Sequence, residues 1–285
     1  SLKGTVPIPY GLNQTFPFAY TRGEEEYQIN WNGISCSITP KEPTTATQEA
    51  AHRMTISLNA VAEVIRAIDI VPHRRGFFKP NYTVVSTSPT PTSEDEVASL
   101  IISDRNLAPR IAIYTEAILG RDFRLYVPPG TATVFFQTTD KQSRIPMLLV
   151  NDGFGVNQVV YLLAKILRPG VETILIEEPE VHLHPTALRN LARQMCSIVR
   201  EENKQIILTT HSELFVSSIL TAVAEGAISP DEIRCYLCSK DGRTTTFQLQ
   251  EVQPNGQIED GLTSFIEAEV EDLRKLLQLQ TEERR

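Results

Sequence analysis

The sequence predicts an α/β protein in which helices cover a mainly parallel sheet, preceded by an N-terminal lobe of α+β structure. Beyond residue 150, short apolar runs typical of strands alternate with helical segments, the order expected of a parallel sheet with helices on both faces. Two of these runs, Ile174–Ile176 and Ile206–Leu208, are continuously apolar, which is typical of strands buried on both faces. We therefore expect them to be adjacent central strands.

The N-terminal lobe is expected over residues 1–120. Its first forty residues mix proline, glycine and aromatic residues with a short alternating stretch, and the next segment has apolar residues at the spacing of one helical face. Glycine and proline mark the loops, and a serine followed by acidic residues marks a helix start. The predicted elements are strands within Glu26–Ile38, a helix over Thr47–Asp69, a loop over Val84–Ser93, a helix from Ser93 towards Asp104 and a helix over Pro109–Gly120.

The C-terminal lobe is expected over residues 121–285. It opens with strand-like segments joined by turns rich in proline, glycine and polar residues, and then passes to the alternation of strands and helices. The predicted elements are strands between Arg121 and Val150, a helix over Val156–Leu167, a strand over Thr173–Ile176, a helix over Pro185–Arg200, a strand over Gln205–Leu208, a helix over Ser212–Ala224, a hairpin over Ile233–Leu249 and a terminal helix over Gly261–Gln278.

The composition excludes several classes of protein. With 285 residues, 41% of them apolar, the chain can bury a large core. The net charge is −8 and the longest basic cluster is His73–Arg75, so no lysine and arginine stripe is present to neutralise a nucleic-acid backbone. No apolar run reaches the ~18 residues of a membrane helix, and no secretory leader begins the sequence. We therefore expect a soluble, cytoplasmic protein, in which any contact with nucleic acid belongs to a larger assembly.

The four cysteines are too few and too scattered for a disulfide framework. Cys235 and Cys238 form a C-x-x-C, but they lie in an apolar, strand-like run without the glycine or proline of a metal knuckle. We therefore predict buried cysteines here and no zinc site.

Three glutamates follow the first apolar strand, with only Pro179 between them: Glu177, Glu178 and Glu180. In open α/β sheets, ligands bind at the C-terminal ends of the strands. The first carboxylate is placed to hold Mg²⁺, directly or through water, and the second to orient or deprotonate a water that attacks a phosphate. The alternative is a solvated strand end, which often carries a glutamate.

Polar segments at other element ends complete this pattern. His211 follows the second apolar strand, where an imidazole can contact a terminal phosphate and report its loss. The segment Asn151–Gln158 is a glycine-containing turn that opens a helix, so its free N–H groups can receive an anion. His182–Pro185 follows the acidic strand and can also be read as a plain turn.

These motifs together resemble those of the RecF/SMC/OLD-like branch of AAA ATPases, which are linked to DNA repair and bacterial defence. Residues 152–158 resemble the signature motif, residues 174–185 the Walker B strand with its D-loop, and residues 208–213 the switch histidine. Residues 71–76 more faintly resemble a strand-end arginine segment of the same group. The resemblance covers about residues 150–220 and implies the fold of a P-loop NTPase, in the form of an ABC-type head.

The resemblance also implies roles for individual residues. Glu177 would bind Mg²⁺, Glu178 would be the catalytic carboxylate, and His211 would be the γ-phosphate switch. The contacts to ATP across a homodimer would come from Gly153, Gly155, Asn157 and Gln158. His182–Pro185 would touch the partner subunit, and hydrolysis would be transmitted to an effector protein.

One motif of the family is missing from the sequence. No G-x-x-x-x-G-K-[ST] segment, the loop that holds the phosphates of ATP, occurs in the 285 residues. Either preceding sequence or another chain supplies that loop, or the protein is a scaffold that has lost ATP binding. A further alternative is a metal-dependent hydrolase that uses His182 and His184 with the neighbouring glutamates as zinc or manganese ligands.

Overall fold

The computed structural model describes residues 15–32 and 35–258. The predicted terminal helix over Gly261–Gln278 lies outside these residues. The chain divides into two compact units, Ser1–Ile68 and Asp69–Arg285.

The first unit is an antiparallel three-stranded sheet with one long helix. Strands β1 (Phe16–Arg22), β2 (Glu25–Trp31) and β3 (Cys36–Pro40) lie in that order, and α1 spans Thr45–Arg66. Its N-terminus is fixed by a capping box in which the Thr44 hydroxyl accepts from the Thr47 amide.

The helix predicted over Thr47–Asp69 is confirmed, but the apolar spacing does not mark a buried face. Leu58, Val61 and Ile65 are exposed, and the buried positions of α1 are Ala50 and Ala51. Alanine allows close approach of the helix to the sheet, which explains why the smallest apolar residues are the buried ones.

The second unit contains the remaining elements. These are β4 (Ile68–Val71), which begins at the division, α2 (Glu94–Ser103), α3 (Leu107–Leu119), β5 (Arg121–Tyr126), β6 (Phe135–Asp140), β7 (Pro146–Leu148), α4 (Phe154–Ile166), β8 (Thr173–Glu177), α5 (Pro185–Glu201), β9 (Gln205–Thr209), α6 (Glu213–Ala224), β10 (Cys235–Asp241) and β11 (Thr244–Gln250).

The sheet that carries the acidic strand has the order β4–β8–β9. Strands β8 and β9 are parallel, with Ile174 opposite Ile206 and Ile176 opposite Leu208, so their predicted adjacency is confirmed. Ile174 is fully buried, whereas Ile207 is 52% exposed. The prediction that both strands are central is therefore wrong for β9, which lies at the edge of this sheet as far as the described residues extend.

One hydrophobic core joins this sheet to α2, α3, α4 and α5 and to the antiparallel sheet β5–β6–β7. Ile111 and Ile118 of α3 share that core with Leu163 of α4 and Leu191 of α5. The lobe boundary predicted after residue 120 thus falls inside the second unit. The division into lobes over residues 1–120 and 121–285 remains a prediction.

The loop predicted over Val84–Ser93 has no regular helix or strand, and it is bound by polar side chains of α4 and of Arg168, which follows α4. Lys165 donates to Asp69 at 2.7 Å and also to the Pro91 carbonyl, and both charged side chains are fully buried. Arg168 donates to the Pro89 carbonyl at 2.9 Å. The Tyr161 hydroxyl donates to the Thr92 carbonyl at 2.6 Å. These contacts satisfy backbone carbonyls that a loop leaves without partners.

The predicted hairpin forms as β10 and β11, but its cysteines are not buried as predicted. Cys238 is exposed and Cys235 is half-buried. Cys238 lies opposite Phe247, itself 68% exposed, on a two-stranded sheet. An apolar run therefore indicates a strand here, but it does not indicate that another layer covers the strand.

Candidate functional site

The acidic turn, Glu177–Glu180, begins where β8 ends. The Glu178 amide donates to the Thr209 carbonyl of β9 at 2.9 Å, so the turn starts in register with the parallel neighbour. The φ angle of Glu178 is +44°, a left-handed conformation that costs a residue other than glycine about 1–3 kcal/mol. Glu177 is exposed and the Glu178 side chain is 35% exposed, so both carboxylates reach solvent at the strand end.

His211 lies beside this turn because β9 runs parallel to β8 and ends at the same edge. Its Nε2 atom is 3.5 Å from Oε1 of Glu178, and its side chain is 86% exposed. The structure therefore brings together Glu177, Glu178 and His211, the three residues to which the sequence assigned metal binding, catalysis and phosphate sensing. The roles themselves remain predictions.

Glu180 fastens the two strand ends to each other, a task that the sequence did not reveal. Its Oε1 atom accepts from the Thr210 hydroxyl at 2.7 Å and from the His211 amide at 2.8 Å. Its Oε2 atom is buried without a hydrogen-bond partner in the described residues. The sequence identified Glu180 only as the third carboxylate of the run.

Arg75 is the second residue that the sequence left without a role. It is 3% exposed, and its guanidinium donates to the carbonyls of Glu177 at 2.7 Å and Glu178 at 2.5 Å. Burial lowers the pKa of Arg75, and the nearby carboxylates of Glu180, Glu178 and Glu177 oppose that shift. The signal in the sequence was the arginine segment at residues 71–76, which lies far from the acidic turn along the chain.

The predicted nucleotide contacts at the start of α4 have different environments. Gly153 is exposed with a φ of +83°, whereas Asn157 is 4% exposed. The Asn157 side chain accepts from the Phe77 amide at 2.5 Å and donates to the Phe77 carbonyl at 2.6 Å. Gln158 is half-buried, and its Oε1 atom has no hydrogen-bond partner in the described part of the chain. The side-chain amide of Asn157, unlike that of Gln158, therefore has both of its polar groups bound to the main chain of Phe77.

The D-loop segment packs against the first turn of α4. A Cβ atom on Gly155 would lie 2.7 Å from the His182 carbonyl oxygen, so only glycine fits there without a shift of the loop. The rings of Phe154 and His182 are 5.5 Å apart, and both residues are exposed. His184 caps α5, since its Nδ1 atom accepts from the Thr186 amide at 3.3 Å. Gly153 and Phe154 of the first segment therefore lie at the surface beside the exposed His182, whereas Asn157 of the same segment is buried.

The residues at the strand ends fit Mg²⁺ better than they fit a transition metal. Mg²⁺ takes oxygen ligands and keeps several waters, so one exposed carboxylate such as Glu177 is a suitable protein ligand. In residues 15–32 and 35–258, no group of three or more His, Cys, Asp or Glu residues is placed to hold a metal ion. For a bound ATP triphosphate, the chain provides carboxylates and His211 at this edge. It does not contain a glycine-rich phosphate loop.

No helix in the described ranges is both long and apolar enough to cross a bilayer.

Comparison with known sequences places these motifs in a family. A family model described as "AAA domain, putative AbiEii toxin, Type IV TA system" matches residues 57–217. An OLD nuclease of Thermus scotoductus is 44% identical over 45 residues, which is 16% of this chain and 8% of that protein. An uncharacterized protein of Methanocaldococcus jannaschii is 27% identical over 101 residues, covering 35% of this chain and 84% of that protein.

Comparison with solved structures finds SMC head domains. The head domain from Thermotoga maritima has a TM-score of 0.39 at 8% identity and covers 83% of this chain and 73% of its own. An SMC head bound to the C-terminal winged-helix domain of ScpA has a TM-score of 0.43 at 7% identity, covering 83% of this chain and 74% of its own.

Proposed function

This chain belongs to the AAA domain family described as a putative AbiEii toxin, and on that premise we propose that it forms the acidic and switch half of an ATP-hydrolysing site. The observation that carries the proposal is the 3.5 Å approach of His211 to Glu178 at the ends of adjacent parallel strands. Glu177 binds Mg²⁺, Glu178 orients and deprotonates the attacking water, and His211 contacts the γ-phosphate. The other half of the site holds the phosphates.

That other half comes from sequence ahead of residue 1 or from another chain. The 285 residues contain no P-loop, and β9 has an open edge within the described residues. Ile207 on β9 is 52% exposed, an unfavourable position for a large apolar side chain unless a further element covers it. An additional strand beside β9 would cover it and would bring a phosphate-binding loop to the edge where Glu178 and His211 lie.

The completed protein dimerises around nucleotide. Gly153, Phe154 and the segment His182–Pro185 lie together at the surface, and we assign them to the contact between two copies of this chain. An effector protein receives the result of hydrolysis, in DNA repair or in defence against phage. The net charge of −8 gives this chain no overall electrostatic attraction to a nucleic-acid backbone, so we assign any nucleic-acid contact to the full assembly.

The proposal is tested on the protein from the full-length gene by measuring ATP turnover and ATP binding. Glu178→Gln keeps the shape of the side chain but cannot accept a proton, so it should bind ATP while hydrolysis falls by roughly 10²–10⁴-fold. Glu177→Gln should lose Mg²⁺-dependent binding as well. His211→Ala should bind ATP and hydrolyse it slowly, because the γ-phosphate contact matters chiefly in the transition state.

The matched control is Glu172→Gln, which removes an exposed carboxylate next to the opposite end of β8. It should turn over ATP at the wild-type rate. Wild-type turnover in Glu178→Gln would contradict the role of this strand end. If the wild-type protein did not bind ATP at all, the result would favour the alternative that the protein is a scaffold that has lost ATP binding.

A further inference from the structure

A buried arginine holds the main chain of the two proposed active-site glutamates. The Arg75 guanidinium donates to the carbonyl oxygens of both Glu177 and Glu178, at 2.7 Å and 2.5 Å. Arginine presents its donors in a rigid planar fork, so two adjacent carbonyls bound in this way are fixed relative to each other. The orientation of that peptide sets where the two side chains leave the strand end.

The peptide between Glu177 and Glu178 depends on contacts with other parts of the chain for its conformation. With a φ of +44°, Glu178 occupies a conformation that persists only where surrounding contacts impose it. Its N–H donates to the Thr209 carbonyl, and its C=O accepts from Arg75. The same carbonyl also accepts from the Val181 amide at 3.3 Å. The main-chain polar groups of Glu178 are thus bound by β9, by the segment that follows β4 and by the residues that follow the turn.

The position of Arg75 is in turn set from α4. Gly76, with a φ of +133°, turns the chain after Arg75, and a Cβ atom there would meet the Asn157 side-chain oxygen at 3.1 Å. The Asn157 amide then binds both main-chain polar groups of Phe77. A continuous series of hydrogen bonds and peptide bonds therefore links the first turns of α4 to the acidic turn.

We propose that Arg75 is a positioning residue that holds the Glu177–Glu178 peptide in its hydrolysis-competent orientation and couples it to the start of α4. The inference rests on the proposed function for its catalytic consequence. Arg75 touches main chain and not side-chain carboxylate oxygens, so its role differs from that of a group that binds the phosphates. Burial lowers the pKa of Arg75, and the nearby carboxylates of Glu180, Glu178 and Glu177 offset only part of that shift.

Two variants test this proposal without removing the side chain altogether. Arg75→Lys keeps the charge but replaces the planar fork with a single ammonium, and Arg75→Gln keeps one N–H donor group without the charge. The control pair is Arg193→Lys and Arg193→Gln, which alter an exposed arginine bound to Glu225 at 2.9 Å. Thermal unfolding first establishes that each variant is folded at the assay temperature.

The first measurement is amide hydrogen exchange across the acidic turn. The Glu178 and His211 amides should exchange faster in both Arg75 variants, and more so in Arg75→Gln, while the buried amides of α5 keep their wild-type rates. A general loss of stability would instead speed exchange in α5 as well. Unchanged exchange at Glu178 in both variants would overturn the proposal.

The second measurement is ATP turnover by the full-length protein. Loss of a residue that orients an active-site ligand typically costs roughly 10–100-fold in activity, and we expect that fall in kcat for Arg75→Gln with little change in KM. Arg75→Lys should recover part of the loss. Faster exchange with wild-type kcat would overturn the positioning role. If the wild-type protein does not hydrolyse ATP, the proposed function fails, while the exchange experiment still decides whether Arg75 holds this peptide.

Discussion

Asn157 offers a direct comparison between what its motif implies and what its environment shows. The resemblance assigns it to nucleotide contact, whereas its amide lies in the interior and binds the main chain of Phe77 at 2.5 Å and 2.6 Å. We predict that Asn157→Ala acts mainly on folding. The substitution removes both partners of Phe77 at once and leaves a donor and an acceptor in a buried position.

The size of the effect follows from those two groups. A buried polar group left without a partner costs about 1–3 kcal/mol, so the loss of partners for two such groups should lower the free energy of unfolding by about 2–6 kcal/mol in Asn157→Ala. Water that enters the space left by the side chain would bring the loss to the lower end. The Phe77 ring packs against Tyr82, Phe136 and Tyr161, which limits how far the segment can move to find other partners.

The assay is equilibrium unfolding in urea followed by circular dichroism. Fluorescence is less suitable because the only tryptophan, Trp31, belongs to the first unit. Asn190→Ala is the matched control, since the Asn190 side chain donates one hydrogen bond to the Ile118 carbonyl at 3.1 Å, and its loss should cost about 1 kcal/mol. If Asn157→Ala were as stable as the control and only nucleotide binding fell, the structural role assigned to this amide would be refuted.

Two further predictions concern the second unit. Asp69→Ala should lower the free energy of unfolding by about 3–5 kcal/mol, measured in urea, because it leaves the buried charge of Lys165 uncompensated; a loss below 1 kcal/mol would contradict the buried pair. Glu96 should make stability depend on pH: burial alone would raise its pKa, but hydrogen bonds from Ser88 and Ser93 lower it from 4.5 to about 2. Its ionised form therefore stabilises the fold above about pH 4.5, and this contribution is lost as the pH falls towards 2. The difference in melting temperature between wild type and Glu96→Gln should shrink over that range, and a constant difference would refute the argument.

The fold class could be predicted from sequence because it depends on patterns that local segments carry. The apolar runs at residues 174–176 and 206–208 have the length and composition of buried strands. The helix predicted between them indicates a parallel crossover connection. Whether other elements cover a strand could not be predicted from the same patterns. Ile207 and Cys238 lie in apolar runs, yet both are exposed, because exposure depends on which other elements pack there.

For the candidate site too, the sequence predicted which residues come together, and the tertiary structure showed which contacts hold them there. The sequence alone determined that Glu177, Glu178 and His211 would meet, since they follow two neighbouring parallel strands, and the ends of such strands share one edge of a sheet. Only the tertiary structure decided that Arg75 and Glu180 hold these residues in place and that the Asn157 amide binds Phe77. The reason is physical: hydrogen bonds to main-chain carbonyls and amides recognise no particular side chain. Arg75 and Glu177 are 102 residues apart along the chain. The faint resemblance at residues 71–76 therefore singles out an arginine segment, but it does not reveal which main-chain groups Arg75 binds.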